Sequence, residues 1–414
     1  MAKIKAFKAF RPVPELVSKV AALPYDVVNR EQAREIARGN EYCFLHVDKA
    51  EIDLDINIDP YDKKVYEKAR ENLNKLIQKG VYIQEEKDCL YLYRLTRMGR
   101  TQTGLVCCTS IDDYINDIIK KHENTLEQKE LDRINHVMYT EAHTGPILTA
   151  YREEKPITDL MENWCDTHEP VYDWEDDEGI QQTIWVVDDD KVINDLIELF
   201  SKVSTLYIAD GHHRAAAATK VGQMKRQQHS DYSGHEEYNY YLSVIFADSE
   251  LLILEYNRLV SDLNGLTEED FLEKLSINFD ISLETRPYRP KEKHRFGMYL
   301  SGKWYSLTAK DGIFDKDDPV ERLDVSILHN KIIAPLLGIT NPRSDSRIDY
   351  VGGGKGLEEL MERVDRGEMK VAFSMYPTSM EDLMAIADAG RIMPPKSTWF
   401  EPKLRSGIFI HSIK

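Results

Sequence analysis

Short apolar blocks separated by polar residues run through the whole chain, and their spacing alternates between helix-like and strand-like periods. Apolar residues recur at helical spacing within residues 61–79 and 30–38, so both segments predict amphipathic helices. Continuous or alternating apolar runs predict strands over residues 4–7, 42–47, 90–95 and 103–109. Residues 1–110 therefore predict a mixed α/β arrangement.

The same mixture of periods continues through residues 111–260. Helices are predicted over residues 111–135 and 192–203, and strands over residues 145–151, 183–187, 206–209, 241–246 and 251–256. Turn-forming residues 247–250 predict a hairpin between the last two of these strands. The polar stretch 223–238 predicts a surface loop or lid.

The last third of the chain has the pattern of a small α+β region. Helices are predicted over residues 268–275, 320–337, 356–365 and 380–390, and strands over residues 296–300, 304–308 and 371–375. We therefore expect an α+β fold with two domains, residues 1–260 and residues 261–414.

Residues 206–219 carry the strongest functional signal in the sequence. An apolar run predicts a buried strand that ends at Ala209, and the alanines after Arg214 predict a helix. A turn at Gly211 would present free backbone N–H groups at the positive end of the helix dipole, which favours an anion. The candidate phosphate-binding residues are Gly211, His212, His213 and Arg214. The alternative is that Asp210 only caps the helix and the histidines fill a polar boundary.

Composition limits the class of protein. Hydrophobic residues make up 42% and charged residues 30% of the chain, as in ordinary globular proteins. A net charge of -18 argues against nonspecific binding to nucleic acid or to an anionic membrane. The 5 cysteines contain no CxxC pair, so we expect reduced thiols, no zinc site and a cytoplasmic location. No signal peptide or membrane-spanning run is expected.

A second candidate cluster lies at residues 120–125. His122 and Glu123 precede a predicted helix whose N-cap we expect to be Thr125. Glu123 is a candidate general base, or a holder of a metal ion bound to phosphate. The alternative is a solvated charged surface. The pair does not form an HExxH motif, because Leu126 stands where the second histidine would be needed.

Two further segments contain candidate site residues. The proline-rich residues 394–403 include Lys396 and Ser397, which are candidates for contacts to phosphate oxygens. Alternatively, this segment only fastens the end of the chain onto the core. Tyr25 and Asp26 lie beside apolar runs, a pattern that is typical of cleft edges and of structural turns.

Several of these blocks, in this order, resemble a bacterial and archaeal family known as domain of unknown function 1015, whose members are often labelled SpoOJ/ParB-like. The matching blocks are residues 10–12, 24–28, 40–47, 122–125, 209–214, 257–258, 350–353 and 393–407. The His-Glu block followed by Asp-Gly-His-His-Arg is also similar to free L-serine kinases of the ParB/sulfiredoxin fold. The resemblance implies a ParB/sulfiredoxin-like nucleotide-binding core with large insertions in residues 1–260, followed by an α+β C-terminal region.

The resemblance to the kinases also implies roles for individual residues. Glu123 would take the proton from the substrate hydroxyl beside His122, and Asp210 would hold the substrate amine or Mg²⁺. The turn that follows Asp210 would bind phosphates. The expected substrate-binding residues are Tyr25, Asp26 and Thr125. This chain is much longer than a minimal kinase of that type, which leaves a different substrate or activity open.

The leading hypothesis is a Mg²⁺-dependent kinase that uses ATP, ADP or another donor such as pyrophosphate. Its acceptor would be a small hydroxylated metabolite, with free L-serine as the first candidate, and a homodimer is compatible with it. One alternative is a ParB-like nucleotide-binding regulatory protein without kinase activity. The other is a metal-dependent hydrolase with His122, His212 and His213 as ligands.

Overall fold

The computed structural model describes residues 1–229 and 231–414, which form two compact units. Unit 1 comprises Met1–Leu251 and Pro402–Lys414, and unit 2 comprises Leu252–Glu401. The chain therefore leaves unit 1 and later returns to it. This division differs from the expected single boundary at residues 260/261, because the C-terminal segment packs with unit 1.

The strands are numbered in chain order. They are β1 (Ile4–Lys5), β2 (Phe10–Pro12), β3 (Tyr82–Gln84), β4 (Leu90–Arg97), β5 (Arg100–Ser110), β6 (Ile119–Lys120), β7 (Ala142–His143), β8 (Ile147–Tyr151), β9 (Tyr172–Glu175), β10 (Gln181–Val187), β11 (Leu206–Asp210), β12 (Tyr240–Ala247), β13 (Leu252–Leu254), β14 (Tyr256–Val260), β15 (Phe279–Glu284), β16 (Arg295–Leu300), β17 (Lys303–Ala309), β18 (Ile348–Gly352), β19 (Val371–Ser374), β20 (Trp399–Glu401) and β21 (His411–Ser412).

The α-helices are numbered in the same way. They are α1 (Val17–Val20), α2 (Arg30–Ala37), α3 (Leu45–Asp48), α4 (Lys63–Gln78), α5 (Ile111–Ile115), α6 (Glu127–Thr140), α7 (Lys155–Thr167), α8 (Asp190–Phe200), α9 (His212–Gln228), α10 (Glu268–Asn278), α11 (Asp324–Leu328), α12 (Glu358–Asp365) and α13 (Met380–Asp388). A π-helical turn over His329–Ile333 follows α11. Together these elements confirm the predicted mixed α+β fold, whereas the ParB/sulfiredoxin-like core stays a prediction.

The main sheet of unit 1 is mixed, with the strand order β6-β11-β8-β12-β5-β4-β10-β9, and β1 pairs with β5. Strand β11 pairs in parallel with β6 and antiparallel with β8, while β8 runs parallel to β12. The strands β4, β5 and β12 are largely buried, and helices α7 and α8 contribute Trp164 and Phe200 to the same core. The strong apolar runs at 90–95 and 103–109 are thus confirmed as strands.

The C-terminal segment of unit 1 lies inside that unit. The backbone N–H of Ser406 donates to the carbonyl of Ala22 at 2.8 Å, and the Tyr82 hydroxyl donates to the carbonyl of Gly407 at 2.7 Å. The Nε atom of Arg405 donates to Asp176 Oδ2 at 3.1 Å. Strand β21 pairs with β7. These contacts make the segment part of the core of unit 1.

Unit 2 is built on an antiparallel sheet with the strand order β15-β17-β16-β19-β14-β18. A separate two-stranded ladder joins β13 to β20. Leu259, Val351 and Ala372 of the larger sheet pack with Leu360 of helix α12 in one apolar cluster. This arrangement agrees with the expected α+β character of the C-terminal region.

Three predicted elements of unit 1 are wrong. Residues 42–47 are predicted to form a strand, but Leu45–Asp48 is a short helix. The buried run of Phe44, Leu45 and Val47 fits either element, and packing in the core of unit 1 selects the helix. The stretch 223–238 is predicted to be a loop, but its first part, up to Gln228, belongs to helix α9. Residue 230 of this stretch lies outside the described residues. The helix predicted over 111–135 is two helices, α5 and α6, separated by β6.

The hairpin predicted at residues 247–250 is also wrong. Strand β12 pairs with β5 and β8, whereas β13 pairs with β20. The turn marks the place where the chain passes from unit 1 to unit 2. In unit 2, the helix predicted over 320–337 is the shorter α11 followed by the π-helical turn. Within residues 1–229 and 231–414, none of the helices has the length and apolar character needed to span a membrane.

Candidate functional site

Strand β11 and helix α9 form the strand–turn–helix unit that the sequence predicted. The strand is buried as far as Ala209, and Asp210 at its end is half-buried. Gly211 follows with a φ of 99°, in the left-handed region that favours glycine, and the helix begins at His212. The backbone N–H groups of the first helical turn therefore lie at the end of the strand, where they can bind an anion.

Strand β6 explains why His122 and Glu123 lie beside this turn. It pairs in parallel with β11, with Ile119 opposite Leu206. Parallel neighbouring strands run in the same direction, so the residues that follow each of them leave the sheet at the same edge. The two motifs, which are far apart in sequence, therefore belong to one site.

His122 and His212 form the buried part of the site. Their rings pack edge to face with centroids 4.4 Å apart. Burial lowers the pKa of His122 to about 4, and burial together with His122 lowers the pKa of His212 well below its usual value. Both imidazoles are therefore neutral near pH 7, as their mutual packing requires. Among the described residues, neither His122 Nδ1 nor His212 Nε2 has a hydrogen-bond partner, so both atoms can bond a ligand.

Glu123 lies at the solvent side of these rings. Its Oε2 atom is 3.8 Å from Nδ1 of His212, and its side chain is 40% exposed. Because His212 is neutral, this contact is not an ion pair. The carboxylate is thus placed next to the Asp210–Gly211 turn and within reach of solvent or a bound molecule, as a general base must be.

Asp210 is kept ionised by its neighbours. Burial opposes ionisation, but Lys403 and Arg214 outweigh it and lower the pKa of Asp210. The Nζ atom of Lys403 lies 3.4 Å from Asp210 Oδ2. Lys403 comes from the C-terminal segment of unit 1 and was not among the predicted site residues. The sequence signal that could have found it is the tail motif itself, which contains two lysines.

The guanidinium of Arg214 lies against the Gly211 turn. A Cβ atom on Gly211 would be 3.1 Å from both Nε and Nη2 of Arg214, so the glycine is needed for space as well as for its φ. The Nη1 atom donates to the carbonyl of Pro146, and Nε is buried without a hydrogen-bond partner in the described part of the chain. Arg214 therefore supports the turn, and its binding of phosphate stays a prediction.

His213 and Thr125 hold the loop that follows β6. The Nε2 atom of His213 accepts a hydrogen bond from the Leu126 N–H at 3.0 Å, which places the ring proton on Nδ1. The Thr125 hydroxyl donates to Glu130 Oε2 at 2.7 Å. The prediction that Thr125 caps helix α6 is wrong, because the N-cap position is Leu126 and the hydroxyl bonds a carboxylate instead.

A cavity of about 320 Å³ in unit 1 contains the two predicted substrate residues, Tyr25 and Asp26. A smaller cavity of about 30 Å³ shares Tyr25, Asp48 and Arg133 with it and is also lined by Arg214. The two cavities therefore lie on opposite sides of shared residues, between the substrate candidates and Arg214, which supports the Gly211 turn. This agrees with the expected role of Tyr25 and Asp26, which stays a prediction.

Charges of both signs line the larger cavity. Arg133 is buried, lies 2.8 Å from Asp132 and stacks over the Tyr25 ring at 3.9 Å. Asp48 is also buried, and its Oδ1 accepts a hydrogen bond from the Thr144 hydroxyl at 2.7 Å. Such a cavity suits a small polar molecule with charges of both signs. The sequence interpretation did not identify Asp48 or Arg133 as lining residues, since only the packing of α3 against α6 and their neighbours brings them together.

Lys396 and Ser397 belong to unit 2, whereas all the residues above belong to unit 1. The Ser397 hydroxyl donates to the carbonyl of Pro394 at 2.6 Å and so closes the proline-rich turn. The expected contacts of Ser397 and Lys396 with phosphate stay predictions.

Across residues 1–229 and 231–414, no group of three or more His, Cys, Asp or Glu side chains is placed to hold a metal ion. His122, His212 and His213 therefore do not form the ligand set that the hydrolase alternative requires. The physical reason is visible at His213, whose Nε2 atom already accepts the Leu126 N–H.

Comparison with known proteins gives one family. The family model described as "Protein of unknown function (DUF1015)" matches residues 4–326. No curated protein matches the chain.

Several solved structures are similar to parts of this chain. A free serine kinase in complex with AMP has a TM-score of 0.37 and 14% identity, covering 74% of this chain and 91% of that chain. A conserved hypothetical protein from Pyrococcus furiosus has a TM-score of 0.36 and 15% identity, covering 74% and 94%. SbnI with a C-terminal truncation, from Staphylococcus aureus, has a TM-score of 0.39 and 10% identity, covering 72% and 84%. At these values the likeness assigns no activity, which must be argued from this chain's own residues.

Proposed function

The chain belongs to the DUF1015 family, and we propose that it is a Mg²⁺-dependent kinase that phosphorylates a small hydroxylated metabolite, with free L-serine as the first acceptor to test. One observation carries the proposal. The parallel pairing of β6 and β11 places Glu123 beside the Asp210–Gly211 turn, at the head of a helix. A base and an anion-binding turn at one sheet edge are what phosphoryl transfer to a hydroxyl needs.

The donor phosphates would bind at the start of α9. The backbone N–H groups of the first helical turn point along the helix axis toward them, and the unpartnered Nε2 of His212 can add a hydrogen bond. The ionised Asp210 carboxylate fits Mg²⁺, which binds proteins through one or two carboxylates and takes its other ligands from phosphates and water. Mg²⁺ would neutralise charge on the phosphates when it is bound.

The acceptor would lie between Glu123 and the cavity that contains Tyr25, Asp26 and Arg133. Glu123 takes the proton of the acceptor hydroxyl. At the same time, the oxygen of that hydroxyl forms a bond to the transferred phosphorus. The bond from that phosphorus to the bridging oxygen of the donor breaks, and the shortened donor leaves with the electron pair. The opposite charges of the cavity lining favour an acceptor that carries both an ammonium and a carboxylate group.

The variant Glu123→Gln tests the base. We expect it to lose nearly all turnover while donor binding stays within about twofold of the wild type, because general bases contribute about 10²–10⁴-fold. Turnover is followed by phosphorus NMR with ATP, ADP or pyrophosphate and L-serine, and donor binding by calorimetry. Glu127→Gln, an exposed acidic residue in the first turn of α6, is the matched control and should retain activity.

Two outcomes would contradict the proposal. Retained activity in Glu123→Gln would remove Glu123 as the base. Binding of a donor without product from any hydroxylated acceptor would favour the nucleotide-binding regulatory protein instead.

A further inference from the structure

Unit 2 contains a second cluster of charged and aromatic side chains that the proposed kinase chemistry does not use. Strands β14 and β18 pair antiparallel, with Arg258 opposite Tyr350 and Tyr256 opposite Gly352. Residues directly opposite on paired strands, and residues two apart on one strand, share a face of the sheet. These side chains therefore project from one face.

Arg258 is the centre of the cluster, and its charge is not compensated. The residue is 4% exposed, and its guanidinium donates to the backbone carbonyls of Tyr256 and Lys396, the latter at 2.8 Å. Within unit 2, whose residues 252–401 are all described, no carboxylate lies within 4.0 Å of it. A buried charge without a counter-charge is unfavourable. Such a residue is therefore expected where a bound anion supplies the opposite charge.

Lys396 adds a second cation at the exposed side of Arg258. Its Nζ atom lies 5.4 Å from the centre of the Tyr256 ring, and its backbone has a φ of 58°. That left-handed conformation is uncommon for a residue with a side chain and persists only where the surroundings fix it. Here the Ser397 hydroxyl bonds Pro394 and the Thr378 hydroxyl donates to the carbonyl of Ser397 at 2.9 Å.

The charge of Arg258 also acts on His329 of the same unit. His329 opens the π-helical turn His329–Ile333, and such turns occur most often at functional sites. The ring is half-buried, and burial together with the Arg258 charge lowers its pKa.

Three aromatic rings surround these groups. Tyr256 lies edge to face against Trp399 at 5.1 Å and against Tyr350 at 5.9 Å, and Tyr350 lies 5.6 Å from the Arg258 guanidinium. A Cβ atom on Gly352 would be 2.8 Å from the Trp399 ring, so the glycine is needed for the indole to pack there. The rings shield Arg258 from water, which strengthens its interaction with an anion.

We propose that Arg258 and Lys396 form an oxyanion-binding site in unit 2 that takes the phosphate or carboxylate group of a small molecule. The planar guanidinium of Arg258 can still offer N–H groups that the two backbone carbonyls do not use, and Lys396 adds a point charge at the open side. Both residues belong to unit 2, whereas the turn at Gly211 belongs to unit 1. The site also accounts for the predicted phosphate contact of Lys396 independently of the kinase chemistry.

The exposed amine of Lys396 gives a test on the full-length wild-type protein. Lysines are acetylated with a mild amine-reactive ester, and the extent at each lysine is read by mass spectrometry with and without inorganic phosphate, malonate or matched potassium chloride. We expect phosphate or malonate, but not chloride, to slow acetylation of Lys396 in a saturable way. Lys355 of the same unit is also exposed and should react equally in all conditions. The anion that protects identifies which oxyanion the site takes.

Two variants separate this site from the one in unit 1. In Arg258→Lys, the anion concentration for half-protection of Lys396 should rise at least about tenfold, because the forked donor is lost. Arg214→Ala, in unit 1, should leave protection of Lys396 unchanged. The unfolding temperature of each variant confirms that it is folded. Equal acetylation of Lys396 with and without both oxyanions, or full protection in Arg258→Lys, would overturn the proposal.

Discussion

The charge on Asp210 depends on one residue that is far away in sequence. Lys403 lies 3.4 Å from the Asp210 carboxylate, and with Arg214 it lowers the pKa of that group in spite of burial. A carboxyl group with a lowered pKa in the folded state stabilises the protein above its unfolded pKa, and this stabilisation is lost as the pH falls through the folded pKa. The ionised state at the candidate site is therefore a property of the packed C-terminal segment.

The variant Lys403→Met should raise the pKa of Asp210 and lower the free energy of unfolding at pH 7 by about 1–3 kcal/mol, because the half-buried carboxylate loses one of its two cationic neighbours. We also expect the acidic limb of the pH–turnover profile to move to higher pH. Urea unfolding and the pH profile measure the two effects. Lys202→Met, which breaks an exposed pair with Glu198 on α8, should change stability by less than about 0.5 kcal/mol. An unchanged profile in Lys403→Met would show that Lys403 does not control Asp210.

At this scale, the sequence indicates which residue types are present but not the partner of each. The Asp210–Gly211 turn is predicted correctly because strand, glycine and alanine-rich helix are all local signals. The capping role of Thr125 fails because its hydroxyl finds Glu130, a choice that depends on three-dimensional placement. Lys403 could not be paired with Asp210 from sequence, since nothing local links them.

Helix α9 is held against unit 1 by small residues. Ala215 and Ala218 are buried in the core of unit 1, and Gly222 lies one turn after Ala218 on the same side of the helix. A Cβ atom at Gly222 would meet the carbonyl oxygen of Tyr238 at 2.4 Å and Cδ1 of Ile111 at 2.6 Å. The position of α9, and so of its N-terminus, depends on this close approach.

Gly222→Ala should destabilise the protein by about 1–3 kcal/mol in spite of the higher helix propensity of alanine, because overpacking against a backbone carbonyl costs more than the propensity contributes. Gln223→Ala, at the exposed neighbouring position, should be neutral or slightly stabilising. Urea unfolding of both variants measures the difference. Equal stability of Gly222→Ala and the wild type would mean that α9 can shift without cost.

Elements with strong periodicity are predicted well, and those set by tertiary packing are not. The helix expected over 61–79 is confirmed as Lys63–Gln78 because its apolar stripe is long and regular. The short apolar run at 42–47 fits a strand or a buried helix equally, and the core around Phe44 selects the helix. The π-helical turn at His329–Ile333 carries no sequence signal of its own.

Buried neutral histidines make unit 1 sensitive to acid. Burial lowers the pKa of His122 to about 4 and that of His143 and His212 well below the usual value of 6.5. The unfolded chain therefore binds more protons than the folded chain once the pH falls below about 6.5, and stability decreases until the folded pKa values are reached.

We expect the free energy of unfolding to fall by several kcal/mol between about pH 7 and about pH 5, since each such histidine contributes up to about 1.4 kcal/mol per pH unit. His143→Asn should reduce this slope, because one of the buried titrating groups is removed. His229→Gln, at an exposed position, should keep it. Urea unfolding at several pH values provides the measurement, and a slope near zero for the wild type would contradict the assignment of neutral buried histidines.

For the whole molecule, composition and periodicity correctly indicate a mixed α+β protein. Composition and periodicity do not reveal that Pro402–Lys414 belongs to unit 1. The expected single boundary at 260/261 assumes that each domain is one continuous segment of the chain. The hairpin predicted at 247–250 fails for the same reason, since the chain there passes into unit 2. Long-range connectivity of this kind has no local pattern.

The return of the chain to unit 1 has a consequence for biosynthesis. A ribosome makes residues 1–251 first, then the whole of unit 2, and only afterwards Lys403, Arg405 and β21. While unit 2 is being translated, the nascent chain therefore carries a unit 1 whose Asp210 has Arg214 but not Lys403 beside it, and which lacks its last strand. A polypeptide released within unit 2 would lack the pair of Lys403 and Asp210, so the order of translation delays completion of the candidate site until the protein is nearly finished.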